Sequence, residues 1–344
     1  MSNKMIPDND VVISSRIRLA RNFEDLPFST DKSQEIAKLC VTRVENVLLA
    51  EEEKGKKYFS FPMSEFSAEE QFSLVEDHLI SRELMQHTGG TLLLREDKKV
   101  ALMVNEEDHI RLQTIEPGAQ LMDAAREAFE VEDLLQDKLT FAYDHQLGYL
   151  TACPTNTGTG MRASYMFHLP MLTLYKQMGT VNQSVAKLGL TIRGIYGEGS
   201  EALGNVYQVS NQITLGKTEE EIMAAVVAVG KQIIAMERAL RKKTREENRL
   251  LMEDQIYRSF GLLQFARRMA IEEFMQHWSN IRVGAASQML PFTIKQTDQL
   301  LSIAQDAHVK NRPDVSQKPI EGINMERAKQ VRVFMKKAMF KEEQ

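Results

Sequence analysis

The stretch TEEEIMAAVVAVGKQIIAMERAL, residues 218–240, divides the chain into two kinds of sequence. Thr218 and Glu221 have the spacing of a capping box, which closes the exposed N–H groups at a helix start. Ile222, Val226, Val229, Ile233 and Leu240 then recur at helical spacing. Beyond them no strand pattern follows, so the tail reads as helical. Before them, strands and helices alternate. Val11–Leu19 is apolar and β-branched with interleaved arginines, and predicts a strand. Ser33–Glu53 has helical periodicity through Ile36, Leu39, Val44, Val47 and Leu48. Ser67 and Glu70 form a second capping box ahead of a helix carrying Phe72, Val75 and Leu79. TLLLREDKKVALMV, residues 91–104, predicts a hairpin turning at Glu96–Lys99. Residues 109–115 predict another strand and Leu121–Leu135 a helix. Further strands are expected at Leu147–Cys153, Leu190–Ile195 and Asn205–Ile213. The expected architecture is an α+β body over residues 1–245 and a helical domain over 246–344. The charged run RALRKKTREENR, residues 238–249, reads equally as a linker or as a solvated helix.

A length of 344 residues suits about two domains. The formal charge of −5 argues against a general nucleic-acid surface. Cys40 and Cys153 lie far apart without metal-ligand spacing, as expected of free thiols in a reducing cytoplasm. The N-terminus MSNKMIPDND has no apolar signal region. The longest apolar stretch, Ile222–Val229, is too short for a bilayer. A cytoplasmic protein without membrane contact is expected.

Four segments carry chemistry. In SSRIRLAR, residues 14–21, strand alternation sends Arg16 and Arg18 to one face and Ile17 and Leu19 to the other. Paired guanidinium forks match a polyphosphate, although a solvated basic edge has the same pattern. NEEDHIRLQTI, residues 105–115, sets Glu106, Glu107 and Asp108 before a strand with Arg111. Those acids suit a proton acceptor or a site for a cationic substrate, or an ordinary acidic loop. CPTNTGTGMRAS, residues 153–164, is a Pro/Thr/Gly loop leading to Arg162, and it is not a Walker A loop. Its Cys153 is either an inert thiol or, beside arginines, a favoured thiolate. RGIYGEGSEALGNVYQVSNQ, residues 193–212, adds Arg193 and Glu198 among glycines. Five arginines on four segments, with Glu107 and Glu198 as complementary acids, suggest phosphoryl transfer to a cationic acceptor.

In this order the four segments resemble the phosphagen kinase (ATP:guanido phosphotransferase) family, and GYLTACPTN and YGEGSEALGN resemble its bacterial protein-arginine-kinase branch. The resemblance implies a mainly antiparallel sheet flanked by helices, followed by the helical domain. It implies that Arg16, Arg18, Arg111, Arg162 and Arg193 bind the phosphates of ATP, with Mg²⁺ held by phosphates and water. It implies Glu107 as catalytic base, Glu198 as second carboxylate, Glu106 as a helper near the metal, Cys153 as the active-site cysteine and His78 near the adenine. Phosphate would pass to arginine side chains of proteins, and the products would be marked for Clp-type degradation during stress. Implied partners are a CtsR-like repressor, a McsA-like activator and a ClpC-type unfoldase. A homodimer through residues after about 250 is also expected, because Ile256, Phe260, Leu263, Met269, Phe274 and Trp278 exceed what a small helical domain can bury. Relatives acting on small guanidino compounds carry a helical domain before the SSR segment. Here that segment begins at Ser14, which suits an open site. Gln208 replaces the Asp of creatine and arginine kinases. INMERA, residues 323–328, keeps Arg327 and Ala328 of a phosphoarginine-sensing RDxxRA motif but has Ile323 and Asn324 in place of its Arg and Asp. A kinase for free arginine and an adaptor working through the helical tail are the competing readings.

Overall fold

The computed structural model describes residues 5–28, 33–50, 55–87, 89–196, 202–312, 315 and 318–340. Its strands are β1 (Val12–Arg21), β2 (Tyr58–Pro62), β3 (Thr91–Arg95), β4 (Val100–Val104), β5 (Ile110–Pro117), β6 (Tyr143–Asp144), β7 (Gly148–Tyr149), β8 (Met161–His168), β9 (Leu190–Tyr196) and β10 (Ala202–Asn211). Eight of them form one antiparallel sheet in the order β2-β3-β4-β5-β1-β8-β10-β9, and β6 and β7 pair separately. The helices are α1 (Gln34–Leu48), α2 (Ala68–Glu76), α3 (Leu121–Gln136), α4 (Pro170–Leu174), α5 (Met178–Ala186), α6 (Glu219–Glu247), α7 (Arg249–Phe265), α8 (Ile271–Ala286), α9 (Ile294–Ala304), α10 (Asp306–Lys310) and α11 (Ile320–Phe340). The α+β body and the helical end are as expected.

Alternation in β1 decides which face of the sheet is core. Ile17 and Leu19 are fully buried, with Leu112, Ala163 and Val209 of neighbouring strands, beneath Ala124 and Ala128 of α3 and Val226, Val229 and Ile233 of α6. Gly230 permits the close approach of α6, since a Cβ there would lie 2.7 Å from the Tyr165 ring. Both expected capping boxes form, at Ser67 and at Thr218. The charged run after Leu240 is helical, because α6 continues to Glu247. Glu237 in that helix is fully buried, and its carboxylate accepts the N–H groups of Met171 and Leu172 at 3.0 and 2.9 Å. It thereby satisfies orphan donors at the start of α4.

The strand expected over Leu147–Cys153 is reduced to Gly148–Tyr149. The Asp108 carboxylate takes the Ala152 N–H at 2.7 Å, and the Thr151 hydroxyl donates to the Cys153 carbonyl at 2.7 Å. Side chains there replace a strand partner for the backbone.

Helices α7, α8, α9 and α11 pack around Phe274, Trp278, Ile281, Leu300 and Val331, and this core is continuous with Met166, Met171 and Val206 of the body. A second junction holds the end of α2. Glu76 accepts the N–H groups of Ala307 and His308, and His308 meets Asp77 at 2.8 Å. Arg327 is fully buried in the helical region. Its guanidinium donates to the carbonyls of Ala304 and Met269, to Asn324 and to Asp306. Ile323 is buried beside Val309 and Val315. Arg327 is therefore a structural strut, and its donors point at the fold.

Candidate active site

The face of the sheet opposite the core is cationic because of register. Arg18 pairs with Gln113 of β5 on one side and Arg162 of β8 on the other. Arg111 lies opposite Ala20, Ser164 opposite Arg16, and Arg193 opposite Gln208. Directly paired residues share a face, so Arg16, Arg18, Arg111, Arg162 and Arg193 come together across five strands. Four of them are half-buried and Arg193 is exposed. Two of them donate to neutral acceptors. Arg16 donates to the Gln208 amide oxygen at 2.8 Å, and Arg162 donates twice to the Ser210 hydroxyl at 3.2 Å. A Gln at 208 orients Arg16 without neutralising it, as an Asp would. The Arg18 Nε is buried, with no hydrogen-bond partner among the described residues. Burial, and after it the guanidiniums of Arg16, Arg111 and Arg162, push the Arg18 pKa well below its ordinary value. Arg162 is lowered in the same way, by burial and then Arg193 and Arg111. A polyphosphate matches this face in charge and in donor geometry.

The acidic turn stands at one edge of this face. Asn105 opens it with a φ of 63°, its side chain bonded to the carbonyls of Ala37 and Gly89. Asp108 and His109 anchor its far end. Asp108 is buried and accepts from Asn22 at 2.6 Å, while the His109 ring takes the Phe23 N–H on Nδ1 and reaches the Pro27 carbonyl through Nε2. Glu106 is buried, ion-paired with Arg111 and hydrogen-bonded to the Ser81 hydroxyl at 2.6 Å. Burial alone would raise its pKa, but Arg111, Ser81 and the Glu107 N–H together hold it below the usual value. Glu107 goes the other way. Burial first, then Asp108 and Glu106, raise its pKa, against weaker opposition from Arg111 and the Cys153 thiol. Two adjacent carboxylates thus differ: one is committed to an arginine, the other is tuned toward taking a proton.

Cys153 lies beside Glu107 and Thr155, at 3.0 Å from the Thr155 hydroxyl. The loop after it is tight. At Gly160, φ is 60° and a Cβ would fall 2.5 Å from Arg21 Nη1 and 2.7 Å from the Ala20 carbonyl. His78, also at positive φ, lines a small cleft with Arg16, Ser164 and Gln208, and its carbonyl accepts from Gln113 at 2.6 Å. Burial and then Arg16 push its pKa down to about 4, so the ring is uncharged at neutral pH. A neutral flat ring suits stacking on a base. A second cleft joins Arg18, Glu106, Glu107, Arg111 and Arg162, and a third, of about 220 Å³, joins Arg162, Arg193 and Thr155. Asn156 lines both. Glu198 lies outside the described residues. Ser81, Ser210 and Asn156 were not singled out by sequence, because only tertiary proximity reveals them.

The family described as "ATP:guanido phosphotransferase, C-terminal catalytic domain" matches residues 38–240. The chain belongs to this kinase family. The family described as "Protein-arginine kinase McsB C-terminal domain" matches residues 249–344. Protein-arginine kinase of Caldanaerobacter subterraneus subsp. tengcongensis is 40% identical over 316 residues, covering 91% of this chain and 94% of that one. Protein-arginine kinase of Bacillus subtilis is 44% identical over 279 residues, covering 81% and 77%. Among solved structures, lombricine kinase aligns with a TM-score of 0.58 at 25% identity, covering 68% of each chain. The duplicated taurocyamine kinase from Schistosoma mansoni aligns with a TM-score of 0.61 at 23% identity, covering 74% of this chain and 39% of that one, and shares the fold. The phosphagen-kinase sheet and the helical extension are therefore both family features of this chain.

Cys153 offers a direct check on the site. Cys153→Ser keeps a hydroxyl within reach of Glu107 and Thr155, and activity is expected to weaken without being abolished. Oxidants should inhibit the wild type and spare the variant. Cys40 is fully buried and so is shielded. Equal inhibition of both proteins would show that the sensitivity lies away from Cys153.

Proposed function

We propose that this protein is a protein-arginine kinase, transferring the γ-phosphate of Mg-ATP to arginine side chains of other proteins. The observation that carries the proposal is the cationic face, with an unpartnered Arg18 Nε at its centre and a carboxylate of raised pKa, Glu107, at its edge. Mg-ATP, when bound, supplies the phosphoryl group and a divalent cation. Arg16, Arg18, Arg111, Arg162 and Arg193 hold the polyphosphate and offset charge on the transferring group. His78 lies beside the adenine. A guanidinium is protonated at neutral pH and is a poor nucleophile until it is oriented and loses a proton. Glu107 and Glu198 grip its planar fork, and Glu107 accepts the proton as the N–P bond forms. Cys153 tunes Glu107 and does not attack. Glu106 holds Arg111, and as a helper it would stand near the metal.

Residues 1–245 form the catalytic unit and 246–344 the helical one in this reading; one family match ends at residue 240 and the other begins at 249, on either side of that boundary. No helix among the described residues is long and apolar enough to cross a membrane. We place the protein in the cytoplasm, in stress-linked quality control, with a CtsR-like repressor, a McsA-like activator and a ClpC-type unfoldase as partners. A homodimer is part of the proposal. The residues from which the sequence suggested it, Ile256, Leu263, Met269, Phe274 and Trp278, are buried within the chain itself, so that ground does not hold. The support comes instead from α7, which exposes Leu250, Leu251, Tyr257 and Phe265. Truncation near Arg249 should give a monomer by light scattering. A monomeric full-length protein at micromolar concentration, or a truncated dimer, contradicts this.

The product tests the reaction. Label transferred from ATP should be lost from the target protein in hot acid and survive mild base, as an N–P bond requires. Label that persists through hot acid would place the phosphate on a hydroxyl and overturn the guanidinium acceptor.

A further inference from the structure

Behind the loop that carries Cys153 lies a groove of about 700 Å³. Its walls are Tyr143, His145 and Leu147 of the β6–β7 hairpin, Gly158 of the loop, and Leu215 and Glu219 at the approach to α6. Thr214 lines both this groove and the cavity of Arg162 and Arg193. The width of one loop separates them. On the groove side the Tyr149 N–H donates to the Gly158 carbonyl at 2.8 Å. Beneath, the Thr214 hydroxyl reaches the carbonyls of Thr155 and Thr157 at 3.0 and 2.7 Å.

The groove is a built surface. The Arg21 guanidinium lies 3.5 Å over the Tyr149 ring, and the Tyr149 hydroxyl accepts from Gln136 at 2.6 Å. Tyr143 meets that fixed ring edge-on at 5.3 Å. Yet Tyr143, Leu147 and Leu215 are 55%, 47% and 50% exposed, so large apolar side chains face water around one concavity. Clustered exposure of this kind marks a binding surface. Glu219 and Glu221 outnumber Lys217 in its lining, which favours a cationic occupant.

We infer that this groove binds the polypeptide flanking the target arginine and favours apolar and basic neighbours of that arginine. The inference rests on the protein-arginine reading above. Continuity with the active-site loop and charge complementarity with an arginine-bearing segment point to a substrate chain. An extended chain advances roughly 3.3–3.6 Å per residue, so residues two or three positions from the target lie about 7–11 Å from it.

Steady-state kinetics with a histone as substrate test the inference. The double variant Tyr143→Ala/Leu215→Ala should raise KM for histone roughly tenfold, the scale of losing anchor side chains. Its kcat at saturating histone and its KM for ATP should stay at wild-type values. Glu219→Lys, a surface change that spares the fold, should also raise the histone KM, by an amount that shrinks as salt is added. An active enzyme whose histone KM is unchanged in both variants, or whose ATP KM rises in parallel, overturns this inference alone. A wild type that leaves histone arginines unmodified overturns the underlying reading, and the inference with it.

Discussion

Glu107→Gln is expected to lower the rate of phosphoryl transfer by roughly 10²–10⁴ while ATP still binds. The substitution keeps the shape of the side chain and its place beside Cys153, and removes the proton acceptor. Binding should survive because the arginines proposed to hold phosphate are untouched, and one negative charge beside them is gone. The pH profile carries the same information. The raised pKa of Glu107 means that its basic form appears as pH climbs through a value above the usual carboxylate range. The acid limb of kcat/KM should therefore lie above that of an ordinary Glu and vanish in the variant. Quenched-flow transfer assays and nucleotide titration measure both parts. Near wild-type transfer by Glu107→Gln, or lost ATP binding, contradicts the assignment.

Arg18→Met is expected to separate function from stability. Arg18 stands between Gln113 and Arg162, with three other guanidiniums around it and a buried Nε that finds no acceptor. Its folded-state pKa is lowered, so the folded protein disfavours the charge relative to the unfolded chain. Replacing the charge by an apolar side chain of similar length should leave the ligand-free Tm equal to or above that of wild type. Transfer should fall by roughly 10²–10³, the scale of removing one preorganised donor from a developing charge. ATP should raise the wild-type Tm more than the variant's, since binding to the folded state stabilises by mass action. Scanning calorimetry with and without nucleotide checks this. A variant less stable than wild type when ligand-free would show that Arg18 serves the fold.

Much of this site was legible in the sequence, for a definite reason. A strand has period two, so Ile17 and Leu19 assign the buried face, and Arg16 and Arg18 must then share the other. What alternation cannot supply is register. That Arg162 lies opposite Arg18, or Arg193 opposite Gln208, follows from strand pairing between distant segments. Strand β8 escaped the reading because MRASYMFH does not alternate, and its residues are buried on both faces: Phe167 beneath α6 and Met166 against the helical region. Residues 147–153 read as a strand from their composition, yet side chains of Asp108 and Thr151 satisfy the backbone there. The contrast between Glu106 and Glu107 was equally hidden, since Ser81 and Arg111 hydrogen-bond to Glu106, whereas Arg111 acts on Glu107 only through its charge. For Arg327, the altered motif raised the question and the buried network around Asp306 answers it.

The proposed reaction requires an acceptor that is a guanidinium in a protein. Mass spectrometry under neutral conditions, on a basic protein incubated with enzyme and Mg-ATP, tests it most directly. The account predicts phosphate localised on arginine side chains, absent when Glu107→Gln replaces the wild type. Phosphate confined to serine, threonine or tyrosine, or found on free arginine with none on protein, would contradict it.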